Sequence, residues 1–394
     1  MKIVFIAHAV HPPWSNASKS LTYNLVRALN TVRHSDRPEL HFITHCHRHS
    51  YSGYEQEYAD FLKNFEQSTV LDYVGSIDKA SPTLYKVFKK LLKEKADDTI
   101  AHLIDINPLL FGLANKLQSR CPVVHHVYMP YFEETSWAKK IPRAIGAAFT
   151  YNLLVNKIIA TSPLTKGYMD RLLVDTDRAV LLYPPIDTNH YRHLSRMRRK
   201  PGLNTDYTLL YLGVMHPGRF PAKLILNSIR EVRTKHGLDV GLLAIVRWSQ
   251  AESCIGEIHS YARKLGLEKA VRVEVRFLDE KEKLSLYNNS TAFLQLLGGF
   301  YAADPPISML EAMACGVPPI ATYSQSIPYL IQHSVNGVLI RTPDSRALSE
   351  AISLSINDNR RLGINARRTI ERKMSYQVTA PKLLATYTEM LQED

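Results

Sequence analysis

Short apolar runs alternate with amphipathic helical stretches along most of this chain, and that alternation restricts its fold more than any other feature. Met1–His8 reads as a first strand, and Leu21, Leu25, Ala28 and Leu29 follow at helical spacing. Further strands are expected near residues 40–44, 100–106, 123–128, 157–161 and 180–183. After Pro184-Pro185-Ile186-Asp187 and the basic run Arg196-Met197-Arg198-Arg199-Lys200-Pro201-Gly202, which read as a connection, the alternation restarts. Strands then fall at 209–212, 242–246, 271–277 and 292–296, with helices carrying Ile225, Ile229 and Val232, closing at Gly266, and spanning 280–287. Such a repeat makes parallel sheets covered on both faces, so the expected class is α/β with two doubly wound, Rossmann-like domains. The 394 residues suffice for two, placed at 1–186 and 187–374.

Composition narrows the function classes. With 45% hydrophobic and 22% charged residues the chain is globular, and its net charge of +12 calls for an anionic partner. Nucleotide phosphates and an anionic membrane surface both qualify, whereas nucleic acid has no recognition motif behind it and is not expected. Cys46, Cys121, Cys254 and Cys315 show no metal or disulfide spacing, which fits free thiols in a reducing, cytoplasmic setting. The opening apolar run is too short for a signal core, and nothing reaches the roughly 18 apolar residues of a membrane span. Any membrane contact is therefore expected only at a surface. The lysine-rich helix at 84–95 reads first as a peripheral helix with a solvated face and the Trp137 segment at 131–149 as a plain loop, with an anionic membrane surface as the alternative for both. Alternate histidines at His45, His47 and His49 read as a solvated polar edge, with no metal site expected.

Two stretches carry the chemistry. In the first, Asp304-Pro305-Pro306 reads as a helix start and Gly316 as its stop, enclosing an almost uniformly apolar helix that carries Glu311. A buried carboxylate needs partners, either structural ones or the hydroxyls of a ligand, and both readings stay open. In the second, Gly213-Val214-Met215-His216-Pro217-Gly218-Arg219-Phe220-Pro221-Ala222-Lys223 joins a strand to a helix. Glycines allow close approach there, the helix start favours an anion, and Arg219 and Lys223 add positive charge, so a diphosphate site is expected. His126 and Tyr128 share a strand face with Val124 near its carboxyl end, where a substrate contact and a structural hydrogen bond are equally open.

Leu310-Glu311-Ala312-Met313-Ala314-Cys315-Gly316-Val317-Pro318, Val335-Asn336-Gly337-Val338-Leu339-Ile340, the Gly213–Lys223 stretch and His11-Pro12-Pro13-Trp14 together resemble the GT-B glycosyltransferases of family 4. The resemblance covers nearly the whole chain. It implies two domains facing across a cleft, with a last helix over 375–394 crossing back to the N-terminal, acceptor-binding domain. It also implies sugar transfer from a nucleotide diphosphate donor to a glycan, lipid-linked or small-molecule acceptor, with retention at the anomeric carbon and without a required metal. By position, Arg219 and Lys223 would stabilise the leaving diphosphate and Glu311 would hold the ribose diol. Asp304, Ile307, Ser308, Gly213, Ser15 and Asn16 would line the donor, and His126 and Tyr128 would take the place of the family's cleft histidine.

The departures are specific. Ala303 stands where the family has its first glutamate, with Asp304 one step later, either contacting the donor or capping the helix. Ser15 and Asn16 replace two loop glycines, Val214 an arginine, and Gln325-Ser326 another glycine pair. They keep a second reading alive, a non-catalytic relative that binds nucleotide or glycan or serves as a partner subunit.

Overall fold

A computed structural model describes residues 1–14, 16–72, 86–87, 98–104, 111–128, 145, 148–171, 174–194, 203–216, 218–246, 251–297 and 303–393. Ser15, nearly all of the lysine-rich helix, most of the Trp137 segment and the basic run after residue 195 lie outside them. The chain forms two compact units, one of Met1–Pro185, Ala302–Pro305 and Tyr376–Asp394, the other of Ile186–Tyr301 and Pro306–Ser375.

The first unit runs β1 (Lys2–His8), α1 (Ala17–Asn30), β2 (Glu39–Cys46), α2 (Glu55–Leu62), β3 (Gln67–Asp72), β4 (Thr99–Ile104), α3 (Phe111–Gln118), β5 (Val123–Val127), β6 (Lys157–Ala160), α4 (Pro163–Arg171) and β7 (Ala179–Leu181). Its strands lie in the order β3-β2-β1-β4-β5-β6-β7, and every pairing is parallel. Ile3 through Ala7 are all fully buried, as a central strand covered on both faces requires. The strand order reverses at β1 and β4, which opens a crevice at the carboxyl end of β1.

The second unit runs β8 (Tyr207–Gly213), α5 (Ala222–Lys235), β9 (Val240–Val246), α6 (Ala251–Lys264), β10 (Val271–Val275), α7 (Glu280–Asn288), β11 (Ala292–Gln295), α8 (Ile307–Ala314), β12 (Pro319–Thr322), α9 (Ile327–Leu330), β13 (Val338–Ile340), α10 (Ser345–Asn357) and α11 (Asn359–Lys373). It is again all parallel, in the order β10-β9-β8-β11-β12-β13, with the reversal at β8 and β11. Ile225, Ile229 and Val232 of α5 bury against Leu209, Leu242 and Ala244, as their helical spacing predicts.

The last helix, α12 (Tyr376–Gln392), belongs to the first unit. Tyr376 donates to Asn24 Oδ1 of α1 at 2.6 Å, and the Tyr387 hydroxyl hydrogen-bonds His102 Nδ1 of β4 at 2.5 Å. Its buried face holds Ala380, Leu383, Tyr387 and Met390. The histidine run also differs from expectation. His45 and Cys46 are buried at the end of β2, and only His49 is exposed.

His102 and His126, on neighbouring strands, are fully buried with rings nearly parallel at 5.4 Å, and Phe5 lies 4.9 Å from His102. Burial, reinforced by neighbouring histidines, pushes both below the usual imidazole range, His126 to about 3. Both are therefore neutral in the folded state, while the unfolded chain takes up protons below about pH 6.5. Stability should be complete above neutrality and fall as the solution is acidified, with His126 alone contributing a loss of about 2 kcal/mol by pH 5. Denaturant midpoints at pH 7.5 and 5.0 check this; His126→Leu should shrink the difference, and an unchanged difference in that variant contradicts the assignment.

Candidate active site

In a doubly wound sheet the ligand crevice lies where the strand order reverses, so in the second unit the loop after β8 and the start of α8 are placed to line it. Gly213 ends β8, and its lack of a side chain has a local cause. A Cβ there would meet the Tyr211 hydroxyl at 2.6 Å, and that hydroxyl donates to the Val214 carbonyl at 2.7 Å. The loop then closes into a tight turn in which the Arg219 and Phe220 amides both donate to the His216 carbonyl at 2.8 Å. The α5 helix starts without a side-chain cap or an acidic residue in its first turn. Lys223 sits in that turn, exposed, its ammonium 5.9 Å from the Tyr261 ring centre. A cation at this end opposes the helix dipole, an arrangement that a bound anion relieves.

The short helix α8 is fixed from its far end. The Val317 amide donates to the Ala312 carbonyl at 3.0 Å and that of Gly316 to Met313 at 2.9 Å, with Gly316 at φ +78°, which is the Schellman arrangement. Arg367 of α11 donates to the Ala314 carbonyl at 2.6 Å and to those of Tyr191 and Thr188 at 3.0 and 3.2 Å. At the near end Pro306 is the N-cap residue, and the Ser308 hydroxyl comes within 3.5 Å of the Leu212 carbonyl of β8. Thus Gly213, Arg219 and Lys223 lie at the end of β8 and in the loop and helix start that follow it, and Ile307 and Ser308 at the start of α8, which reaches the end of that strand.

Glu311 is 3% exposed and sits in a buried charge network that the sequence reading missed. Its Oε2 accepts from the Tyr287 hydroxyl at 2.8 Å, and its Oε1 lies 3.7 Å from Lys283 Nζ. Lys283 also pairs with Glu280, which accepts from the Tyr191 hydroxyl. Burial pushes Glu311 above the usual carboxylate range, opposed by the charge of Lys283 and reinforced by that of Glu280. Burial would raise Glu280 as well, but the charge and hydrogen bond of Lys283, with that of Tyr191, carry it below its ordinary value. One ammonium thus serves two carboxylates, and Glu311 is the one that takes a proton more readily. The signal lay in Glu280, Lys283 and Tyr287, at i, i+3 and i+7 on one helix face.

Asp304 is not a helix cap. It is 1% exposed in the first unit, where its carboxylate accepts from the Ser162 hydroxyl. Its amide donates to the Tyr128 carbonyl at 2.9 Å, and its carbonyl accepts from the Thr161 hydroxyl at 2.6 Å. The two prolines precede α8 rather than occupying its first turn. His126 does not face a ligand either: it is fully buried against His102, its ring nitrogens without hydrogen-bond partners among the described residues. Tyr128 is 8% exposed just beyond β5. Asn16 caps α1 by accepting from the Lys19 amide at 2.9 Å, so its side chain already has a structural task. Among the described residues no group of three or more metal-ligating side chains is gathered.

Two all-parallel, doubly wound units built in this way are the GT-B fold of nucleotide-sugar-dependent glycosyltransferases. Residues 256–373 match the family "Glycosyl transferases group 1". It is 23% identical over 301 residues to the putative glycosyltransferase YtcC of Bacillus subtilis, an alignment covering 72% of this chain and 71% of that one. It is 30% identical over 265 residues to the N-acetyl-alpha-D-glucosaminyl L-malate synthase of Bacillus anthracis, covering 64% of this chain and 66% of that one. The crystal structure of Anabaena HepE in complex with UDP matches its fold with a TM-score of 0.75 at 17% identity, over 99% of this chain and 100% of that one.

The site geometry depends on α8 and α11 meeting without side chains between them. A Cβ on Gly363 of α11 would stand 2.2 Å from the Gly316 carbonyl oxygen, too close for any rotamer to relieve. Helix propensity alone predicts that Gly363→Ala stabilises by about 1 kcal/mol. The contact reverses that sign, and a loss of at least ~2 kcal/mol is expected in urea unfolding. A variant as stable as the parent would show that α8 is held otherwise.

Proposed function

We propose that this chain is a retaining glycosyltransferase of family 4 that moves a sugar from a nucleoside diphosphate sugar to a glycan, lipid-linked or small-molecule acceptor. The observation that carries the reading is the uncapped start of α5 at the β8/β11 reversal, flanked by Arg219 and Lys223 within a group 1 glycosyltransferase chain. In the proposed complex the diphosphate lies on the α5 amides, and the two side chains neutralise the charge that builds on it as the sugar–oxygen bond breaks. Because protein cations fill this role, no divalent metal is required. Glu311 keeps Oε2 on Tyr287 and offers Oε1 to the ribose hydroxyls. The UDP held by the Anabaena neighbour supports a nucleotide donor of this kind. No helix among the described residues is long and apolar enough to cross a membrane, so a lipid-linked acceptor would be met at a membrane surface.

One observation favours a second reading, a subunit that binds nucleotide without turnover. Ala303 occupies the first glutamate position, and the neighbouring Asp304 carboxylate is already bonded to Ser162. A mass-spectrometric survey of UDP-, GDP- and ADP-sugars with sugar and glycolipid acceptors separates the two. The enzyme reading expects one donor to be consumed in the presence of chelator, with kcat/KM lowered at least ~100-fold by Arg219→Ala. Donor binding without a product over the whole panel establishes the second reading, and absence of donor binding defeats both.

A further inference from the structure

Away from the β8/β11 crevice, the second unit has a basic groove that the proposed transfer does not use. Two adjoining hollows run along α11. One, of about 570 Å³, lies between α11 and the α9 segment, lined by Tyr329, Gln332, Asn336, Asn365, Arg368 and Arg372 among others. The other, of about 430 Å³, continues toward the start of α11 past Ile364 to Arg360 and Arg361. Asn365 and Arg368 line both, so the two form one continuous track.

Three of the charges along it, those of Arg360, Arg368 and Arg372, have no structural explanation. Arg361 pairs with Asp358 at 2.6 Å, and Arg367, on a different side of the helix, pairs with Glu371 at 2.8 Å. Arg360, Arg368 and Arg372 are exposed and make no ion pair or hydrogen bond among the described residues. Arg368 and Arg372 stand one helical turn apart, a like-charge spacing that disfavours the helix carrying it. Arg360 lies about 12 Å further along the axis, from eight residues at the helical rise. Planar guanidinium groups at intervals of about 6 and 12 Å match sulfate, phosphate or carboxylate groups repeated along an extended ligand.

The remaining lining indicates what joins those anions. Tyr329, 58% exposed, and Ile364, 45% exposed, flank the arginines as flat apolar surfaces. The floor between them is polar, with the Asn336 amide donating to Leu330 and Thr369 at 2.9 Å and the Asn365 amide to Val335 at 3.0 Å. Sugar rings have this mixed character, an apolar face of C–H groups and an edge of hydroxyls. A peptide would instead call for a deep apolar pocket or an open strand edge.

We infer that the α11 groove binds an extended glycan carrying repeated anionic groups, at a site separate from donor and transfer chemistry. The probe is a fully sulfated pentasaccharide, titrated calorimetrically into the full chain at low and moderate salt. R368A/R372A should weaken binding at least tenfold and flatten its salt dependence. R263A/K264A, which removes the same charge from the exposed end of α6, should stay within twofold of the parent. The unliganded R368A/R372A protein should melt no lower than the parent, because it relieves a repulsion. The desulfated pentasaccharide should not bind. Equal losses in the two double variants, or no binding by the parent, overturn the inference; so does tighter, equally arginine-dependent binding of a polyglutamate of the same charge, which would assign the groove to an acidic peptide.

Discussion

The second unit depends on a contact between two glycines. Gly316 ends α8 in a left-handed conformation that closes a Schellman cap, and Gly363 lets the backbone of α11 rest against that cap. Arg367 then satisfies the Ala314 carbonyl and ties it to residues 188–191 at the start of the unit. With its carboxyl end fixed in three directions, α8 points its uncapped amino end at the carboxyl end of β8. A helix of only eight residues would hold no such direction by itself.

The same helix carries a carboxylate into a nearly dry interior, and its electrostatics follow from how few counter-charges accompany it. Lys283 lies between Glu280 and Glu311 but pairs closely with the former. Glu311 therefore depends on the Tyr287 hydroxyl against the cost of burial, and it is the weaker of the two acids. A carboxylate with one oxygen fixed and the other facing a distant ammonium is positioned rigidly yet retains capacity to accept a further hydrogen bond. The start of α5 has the opposite character: no side chain caps it, and Lys223 adds a positive charge to its first turn.

How much of this was legible in the sequence varies with how local each feature is. The central strands were visible because burial on both faces makes them continuous apolar runs, whereas β3, largely polar and half-exposed, and β13, three residues long, left no such mark. The alternation that set His126 and Tyr128 on one side with Val124 could not say what His126 packs against; it is His102, which Tyr387 of α12 bonds from 285 residues later. Asp304 read as either a cap or a donor contact because Pro-Pro followed it one step past the family's glutamate position, while its carboxylate bonds Ser162, 142 residues away. Glu311 was correctly marked as a carboxylate in need of partners, but those partners come from α7, which the sequence marked only as a helix over 280–287.

The central claim is that the start of α5, with Arg219 and Lys223, holds a diphosphate. Calorimetric titration of UDP and of uridine into the parent and into an R219A/K223A variant tests it most directly. The account predicts that the diphosphate improves affinity at least tenfold in the parent and that this advantage disappears in the variant while uridine binding persists. An advantage of the same size in both proteins would contradict it.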